Sequence, residues 1–214
     1  MLKIALFGAT GTIGKSILEE ALRRGYEVTA VLRDISKLEK LSKQHEKLQL
    51  KTGDILVPDS VTEAAAGKDV VISAFGPKFG EEDELSEVAR TLVEGVRRGG
   101  AGRLIVVGGA GSLEVEPGVM LMDTPAFPEE WRPIARAHAE AYEIYRNSDI
   151  DWTYFSPAAV IEPGERTGNF RIGTNQLVTD ELDNSRISVE DYAVALLDEA
   201  DEGHFIRSRF TVGY

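Results

Sequence analysis

The chain has 214 residues, of which 43% are hydrophobic and 28% are charged, and its formal net charge is −12. This size and composition predict one globular domain over residues 1–214, and the negative charge disfavours nucleic acid and anionic membrane surfaces as partners. The absence of cysteine excludes disulfides and thiolate catalysis, and three scattered histidines predict no metal site. A small-molecule substrate is the expected partner.

Short β-rich runs alternate with helical patterns, which is typical of βαβ units and a parallel sheet. The predicted strands are Lys3–Phe7, Glu27–Arg33, Leu48–Lys51, Val70–Phe75, Arg103–Val107, Trp152–Phe155 and Phe210–Val212. The predicted helices are Gly14–Arg24, Ile35–Lys43, Ser60–Ala66, Leu85–Arg98, Pro133–Asn147 and Val189–Ala200. We therefore predict an α/β fold with a doubly wound parallel sheet, whose ligand crevice lies at the carboxyl ends of the strands.

Three irregular segments fall on the crevice side of this predicted sheet: Gly76–Asp83, Gly108–Glu130 and Ser156–Ser185. Long connections in a compact α/β domain commonly bind ligands. The second segment and the residue after it carry Met120, Leu121, Met122, Phe127 and Trp131. These side chains predict either a partly apolar substrate wall or simple packing of a lid.

The first predicted strand runs into a glycine-rich turn that opens a helix. The turn reads Gly8-Ala9-Thr10-Gly11-Thr12-Ile13-Gly14. Glycines let the backbone approach a pyrophosphate closely, and the first N–H groups of the helix face its negative charge. We expect a dinucleotide to contact Gly8, Thr10, Gly11, Thr12, Ile13 and Gly14, although Thr10 stands where the common fingerprint has its second glycine.

The same residues overlap a second phosphate-binding pattern. Ala9-x-x-x-x-Gly14-Lys15-Ser16 is close to the P-loop of nucleotide triphosphatases, in which Lys15 would contact the β- and γ-phosphates and Ser16 the magnesium ion. A P-loop begins with glycine, however, and needs an apolar strand that ends in Asp. No clear strand of that kind is present, so the dinucleotide interpretation is favoured.

Arg33 ends the second predicted strand, about 20 residues beyond the glycines. An arginine at this point accommodates the 2′-phosphate of NADP, whereas an acidic residue would bind the 2′-hydroxyl of NAD. Asp34 follows, but it also fits as the N-cap of the next helix. We therefore expect NADP(H) to be preferred over NAD(H), with an ordinary surface role for Arg33 as the alternative.

Further cofactor contacts are predicted where the next three strands end. Asp54 and Ile55 would lie beside the adenine, or else form an ordinary Gly-Asp turn. The small residues of Ala74-Phe75-Gly76 and Gly108-Gly109-Ala110-Gly111-Ser112 allow a close approach of the backbone. We expect the dinucleotide to contact Ala74, Phe75, Gly76 and Gly109.

Several segments together carry a resemblance to a known family. They are Gly8–Gly14, Val31–Asp34, Gly53-Asp54, Gly108–Ser112, Asp151–Thr153 and Arg186–Ala193. The chain resembles the atypical short-chain dehydrogenase/reductases over nearly its whole length, in particular the compact group of NmrA-like proteins and biliverdin reductase B-like flavin reductases. The resemblance implies a Rossmann fold with a small C-terminal substrate region, and it implies cofactor contacts at Gly8, Gly11, Gly14, Arg33, Asp54 and Gly76.

The chain departs from this family at the catalytic pair. Short-chain dehydrogenases normally activate the substrate with Tyr-x-x-x-Lys, but the helix before Asp151 places Ile134 at the tyrosine position and His138 at the lysine position. Tyr142-x-x-x-Arg146 mimics the pair further along the helix, but it ends in a guanidinium that does not titrate. The usual acid is therefore absent.

Two residues remain as catalytic candidates. Ser112 matches the family's serine region and would bind a substrate carbonyl. His138 would hold the nicotinamide ribose or donate a proton, with a purely structural histidine as the alternative. Pro157, in the loop after the sixth predicted strand, would line the site beside them.

We therefore predict an NAD(P)H-dependent oxidoreductase that reduces a small planar or conjugated acceptor, such as a flavin or quinone. Such hydride transfer needs no strong protein acid, because the cofactor drives it and water supplies the proton. A non-catalytic NAD(P)-binding redox sensor or regulator and an epimerase or dehydratase are the alternatives. The sequence shows no bilayer-spanning apolar run and no signal-peptide pattern, so a cytoplasmic location is expected.

Overall fold

The computed structural model describes residues 1–214 and places helices on both faces of a central sheet. The strands are β1 Lys3–Phe7, β2 Glu27–Leu32, β3 Leu48–Thr52, β4 Val70–Ser73, β5 Arg103–Val107, β6 Glu114–Glu116, β7 Val119–Met120, β8 Trp152–Ser156, β9 Val160–Glu162, β10 Arg171–Gly173, β11 Arg186–Ser188 and β12 Ser208–Gly213. The helices are α1 Thr12–Arg23, α2 Glu39–Ser42, α3 Pro58–Ala65, α4 Glu84–Gly99, α5 Arg132–Arg146 and α6 Val189–Glu202. None of them is long and apolar enough to cross a membrane.

The central sheet has the strand order β10-β12-β8-β5-β4-β1-β2-β3. All neighbours pair in parallel except β10, an edge strand that runs antiparallel to β12. The chain builds one half outward from β1 to β3 and then returns to place β4 on the other side of β1. A crevice opens at such a reversal, at the carboxyl ends of the strands. The predicted doubly wound α/β fold is confirmed.

Both faces of the sheet are buried, so β1 is apolar from Ile4 to Phe7. Its residues alternate in direction: Ile4 and Leu6 join the core beneath α1 and α6, whereas Ala5 and Phe7 join the core beneath α3, α4 and α5. Each large apolar side chain buried in this way stabilises the fold by about 1.5–3 kcal/mol. The two cores fix the strand ends, and with them the loops of the crevice.

The predicted helix Ile35–Lys43 is wrong. The Asp34 side chain accepts a hydrogen bond from the Ser36 N–H and starts a short 3₁₀ turn over Ile35–Lys37. Leu38, with φ −119° and ψ 4°, then leaves helical geometry, and only the four residues of α2 follow. The segment after β2 therefore stays open toward the crevice.

The long irregular segments contain short elements that the sequence analysis did not predict. The strands β6 and β7 form a hairpin within Gly108–Glu130, and the strands β9 and β10 lie within Ser156–Ser185. The strand β9 pairs with β11 in a separate two-stranded sheet. These pairings give both segments a defined shape at the crevice.

Two buried carboxylates anchor the segment between β9 and α6. Asp191 accepts hydrogen bonds from Thr167 Oγ1 at 2.6 Å and from the Gly168 N–H at 2.7 Å. Glu20 on α1 pairs with Arg166 at 2.8 Å and with Arg24 at 2.9 Å. These bonds therefore connect the segment to α1 and α6, the two helices on one face of the sheet.

Candidate functional site

Two open cavities lie at the carboxyl edge of the sheet. The first, the turn cleft, has a volume of about 380 Å³, and its lining residues fall between Phe7 and Glu84. The second, the apolar pocket, has a volume of about 600 Å³, and its lining residues fall between Gly109 and Ile161. Phe75 of the turn cleft and His138 of the apolar pocket also line one small shared cavity, so the two spaces are neighbours.

Twelve of the fifteen predicted cofactor residues divide between the two cavities, whereas Thr12, Ile13 and Gly14 line neither. Those that line the turn cleft are Gly8, Thr10, Gly11, Arg33, Asp54, Ile55, Ala74, Phe75 and Gly76. Those that line the apolar pocket are Gly109, His138 and Pro157. An extended ligand that reaches from one cavity into the other would contact both groups.

The glycine turn is packed so tightly that two of its positions require glycine. Gly8 has φ +80°, and a Cβ there would lie 2.3 Å from the carbonyl oxygen of Ala74. A Cβ on Gly14 would lie 2.0 Å from the carbonyl oxygen of Gly8. At Gly11, by contrast, the nearest atom would be 3.5 Å away. The absence of a side chain at Gly11 therefore leaves room for a ligand.

The first turn of α1, which follows the cleft-lining Gly11, has free donors. The N–H groups of Thr12, Ile13 and Gly14 donate to no backbone or side-chain acceptor, and the N-cap Gly11 has no capping side chain. Such donors, together with the helix dipole, favour an anionic group at the helix start. The tight glycine packing and the free donors fit a bound pyrophosphate.

The P-loop alternative is wrong for this chain. The Lys15 ammonium pairs with Glu19 at 3.8 Å on the exposed face of α1. The Ser16 hydroxyl donates to the carbonyl of Thr12 at 3.4 Å. Both side chains are therefore engaged with other residues of α1, and neither residue lines the turn cleft.

Three cations line the turn cleft, and one of them, Lys78, pairs with Glu81 at 3.3 Å. The other two are Arg33, which was predicted, and Lys37, which was not because the sequence analysis assigned it to a helix. The carboxylate of Asp34 accepts from the Ser36 hydroxyl at 2.7 Å and from its N–H at 3.0 Å, and these bonds lower the pKa of Asp34. Asp34 therefore acts as the N-cap of the turn, and Arg33 and Lys37 provide the positive charge of this region.

Asp54 forms a turn, as one of the two alternatives predicted, and it also lines the cleft. Its carboxylate accepts a hydrogen bond from the Leu56 N–H at 3.0 Å, which is the geometry of an Asx turn. Ile55 is buried and lines the same wall. The turn therefore shapes one side of the cleft.

The apolar pocket lies between residues 121–131, which we call the lid, and the loop after β8. Leu121, Phe127 and Trp131 of the lid line it, as does the segment 157–161, whereas Met120 and Met122 do not. Arg132 holds the lid by donating to the carbonyls of Met122 at 2.5 Å and Thr124 at 3.3 Å, and by pairing with Glu129 at 2.8 Å. Three of the five apolar side chains singled out in the sequence therefore line an apolar cavity, and two do not.

His138 lies on the wall of the apolar pocket and bonds to a buried phenol. Its Nδ1 is 3.2 Å from Tyr154 Oη, and Tyr154 Oη donates to the carbonyl of His138 at 3.0 Å. Burial lowers the pKa of His138 to about 4, so the ring is neutral at pH 7. Neutrality disfavours the expected proton donation, because the imidazolium form is scarce.

The buried state of His138 predicts a pH-dependent stability. As pH falls from about 6.5 toward 4, the unfolded chain binds a proton at this side chain that the folded chain does not, so folding stability decreases. Between pH 7 and pH 4.5 we expect wild type to lose about 1–3 kcal/mol more than His138→Phe. Urea unfolding of both proteins measures this difference. An identical pH dependence in the two proteins would contradict it.

Ser112 does not lie where the sequence analysis placed it. It is buried, and its hydroxyl accepts a hydrogen bond from Arg209 Nη1 at 2.9 Å, while its carbonyl accepts from the same nitrogen at 3.1 Å. It lines neither cavity. The expected contact of Ser112 with a substrate carbonyl is therefore wrong for this structure.

The residues of α5 are arranged as the helix register predicts. Ile134 lines the apolar pocket one helical turn from His138. Tyr142 packs instead against Trp152, beneath the guanidinium of Arg209, and Arg146 pairs with Glu143 at 2.9 Å. The Tyr142-x-x-x-Arg146 pattern is thus outside both cavities.

A family model described as NAD(P)H-binding matches residues 8–200. This chain belongs to that NAD(P)H-binding family. The match begins at the glycine turn and spans both cavities, and the free N–H groups and the glycine cradle fit the pyrophosphate of the family's cofactor. We therefore call the turn cleft the cofactor cleft from here on.

Solved structures of similar proteins cover the whole NAD(P)H-binding chain. A candidate exported protein from Burkholderia pseudomallei is 50% identical, with a TM-score of 0.91 and full coverage of both chains. A candidate epimerase from Bacteroides thetaiotaomicron is 43% identical, with a TM-score of 0.91 and coverage of 100% of this chain and 98% of that one. A candidate NADH-flavin reductase from Streptococcus pneumoniae is 34% identical, with a TM-score of 0.87 and coverage of 100% and 99%. The resemblance to the atypical short-chain dehydrogenase/reductases is confirmed.

Proposed function

We propose that this chain is an NADPH-dependent reductase of small planar or conjugated acceptors, such as flavins or quinones. One observation carries the proposal: the pocket beside the cofactor cleft is apolar, contains no charged side chain, and is lined by Ile134, which the resemblance aligns with the family's catalytic tyrosine. A reaction in such a pocket must proceed without a protein acid. Reduction of a conjugated ring meets this condition, because the ring delocalises the added charge.

The residues of the cofactor cleft would select NADPH over NADH. Arg33 and Lys37 supply positive charge for the 2′-phosphate, while the carboxylate of Asp34 is held by Ser36. The N–H groups of Thr12, Ile13 and Gly14 would bind the pyrophosphate. A cytoplasmic location, with its supply of NADPH, fits this assignment.

The residues of the apolar pocket orient the acceptor and exclude water. NADPH supplies a hydride when it is bound, and solvent supplies the proton that completes the reduced acceptor. The lid held by Arg132 covers the pocket, and Gly109 and Pro157 border it near His138. The protein contributes mainly by placing two flat rings face to face.

A non-catalytic NAD(P)-binding sensor is the second candidate, and the absence of a titrating acid and base from the apolar pocket favours it. The same absence argues against an epimerase or dehydratase, because both reactions need proton transfer at carbon or oxygen. The two remaining candidates differ in one measurable respect. A sensor binds NADPH but does not oxidise it.

The test measures NADPH oxidation with lumiflavin, menadione and a simple aldehyde as acceptors. We expect oxidation with the first two, and we expect Val160→Trp to lower kcat/KM at least about tenfold, because Val160 lines the pocket and is half exposed. The affinity for NADPH should not change. Val119→Trp is the matched control, since Val119 is also exposed but lines neither cavity.

Two outcomes would contradict the proposal. If tight NADPH binding is not followed by oxidation with any of the acceptors, the sensor function is supported instead. If Val119→Trp and Val160→Trp lower the rate equally, acceptor reduction does not occur in the apolar pocket.

A further inference from the structure

The apolar pocket holds few polar side chains, and their hydrogen positions can be assigned. Among its lining residues only Thr124, Trp131 and His138 carry polar side-chain atoms, and the indole N–H of Trp131 donates to the Glu130 carboxylate at 3.2 Å. The Thr124 hydroxyl donates to the carbonyl of Leu121 at 2.8 Å, so its only hydrogen is used and its oxygen can only accept. The pocket therefore offers a ligand an acceptor, not a donor, at this position.

The contacts of Tyr154 favour one tautomer of His138. A phenol has one hydrogen, and Tyr154 gives it to the carbonyl of His138 at 3.0 Å. The contact of 3.2 Å between His138 Nδ1 and Tyr154 Oη is then a hydrogen bond only if Nδ1 carries the proton. Because the ring is neutral, Nε2 has no hydrogen and presents a lone pair.

This lone pair has no partner within the protein. The only side-chain hydrogen bond of His138 is the one through Nδ1, and Nε2 is not among the fully buried side-chain atoms that lack a partner. The atom is therefore accessible from a cavity that His138 lines. A Cβ on Gly109 would lie 2.9 Å from the ring atoms Cγ and Cδ2, so the glycine lets the ring pack flat against the turn after β5.

We propose that Nε2 of His138 is a hydrogen-bond acceptor that selects uncharged planar substrates with an N–H or O–H group on their buried edge. Tyr154 is a positioning residue, because it fixes the proton on Nδ1. The inference rests on the proposed reductase function, whose substrate class it narrows. A substrate without such a donor leaves Nε2 desolvated and unpaired, which lowers its affinity.

The test compares two flavins that differ by one methyl group. Lumiflavin carries an N–H at ring position 3, and 3-methyllumiflavin does not. In protein saturated with NADP⁺, flavin fluorescence titration is expected to give roughly ten- to a hundredfold tighter binding of lumiflavin. Equal affinities, or no binding of lumiflavin, would overturn the proposal.

Three variants separate the hydrogen bond from the bulk of the methyl group. His138→Phe keeps a ring but removes the acceptor, so the affinity ratio of the two flavins is expected to fall to about twofold or less. Thr124→Val, the matched control, removes the other acceptor and should keep most of the ratio. Tyr154→Phe frees the ring to change tautomer and should reduce the ratio to an intermediate value. An unchanged ratio in His138→Phe would overturn the proposal.

A spectroscopic measurement on wild type covers the case in which a variant does not fold. Nitrogen-15 NMR of the imidazole at neutral pH is expected to show a protonated Nδ1 and an unprotonated Nε2. The opposite tautomer would overturn the proposal. The inference about His138 and the proposed function can fail independently. If the protein oxidises NADPH with menadione but does not discriminate between the two flavins, the reductase function stands and the role of His138 is removed.

Discussion

Gly11→Val is expected to abolish NADPH binding while the chain stays folded. A Cβ at this position meets no protein atom closer than 3.5 Å, and the φ of −75° and ψ of 166° suit a β-branched residue. The side chain would instead fill the space in which the pyrophosphate reaches the N–H groups of α1. Loss of several charge-assisted hydrogen bonds lowers affinity by roughly a hundredfold or more.

Calorimetric titration with NADPH and thermal unfolding without cofactor measure the two effects separately. The free energy of unfolding should fall by only about 1 kcal/mol, because valine is a poorer N-cap than glycine. Gly14→Ala is the contrasting variant: its Cβ would lie 2.0 Å from the Gly8 carbonyl oxygen, so it should destabilise the fold itself. Normal NADPH affinity in Gly11→Val would show that the pyrophosphate binds elsewhere.

Arg33→Ala is expected to weaken NADPH binding by roughly ten- to a hundredfold and to leave NADH binding almost unchanged. Its guanidinium lines the cofactor cleft and would form charge-assisted hydrogen bonds with the 2′-phosphate, each of which contributes about 1.5–3 kcal/mol. Lys37→Ala should give a smaller loss of the same kind, because an ammonium binds phosphate as a point charge. The doubly substituted protein is expected to bind both cofactors with similar affinity.

Parallel titrations with NADPH and NADH at fixed ionic strength test this preference, since salt screens exposed charges. Lys40→Ala is the matched control, because Lys40 is exposed on the same segment but does not line the cleft. It should change neither affinity. Equal binding of the two cofactors by wild type would remove Arg33 and Lys37 from the selection of NADPH.

The cofactor cleft could be predicted largely from the sequence, because its signals are local. Gly8 and Gly11 lie within one turn, and Arg33 and Asp54 each lie at or just after the end of a predicted strand. Lys37 was missed because a side-chain hydrogen bond of Asp34 replaces the first turn of an expected helix. Such a bond competes with the regular helix pattern and is hard to predict from residue spacing.

The apolar pocket was harder to predict because its walls are distant in sequence. The direction of the Ser112 hydroxyl depends on Arg209, which is 97 residues away, and no motif near Ser112 indicates this partner. The proton on His138 likewise depends on Tyr154, which belongs to a different element. Ile134 and His138 could be placed correctly because they share one helix, where the register alone decides which residues face the same way.

The boundary between the two cavities also divides the chain. Every residue that lines the cofactor cleft precedes the middle of α4, and every residue that lines the apolar pocket follows β5. Mutation in the second half can therefore reshape the apolar pocket without altering any residue that lines the cofactor cleft. The two cavities can thus change independently of each other in evolution.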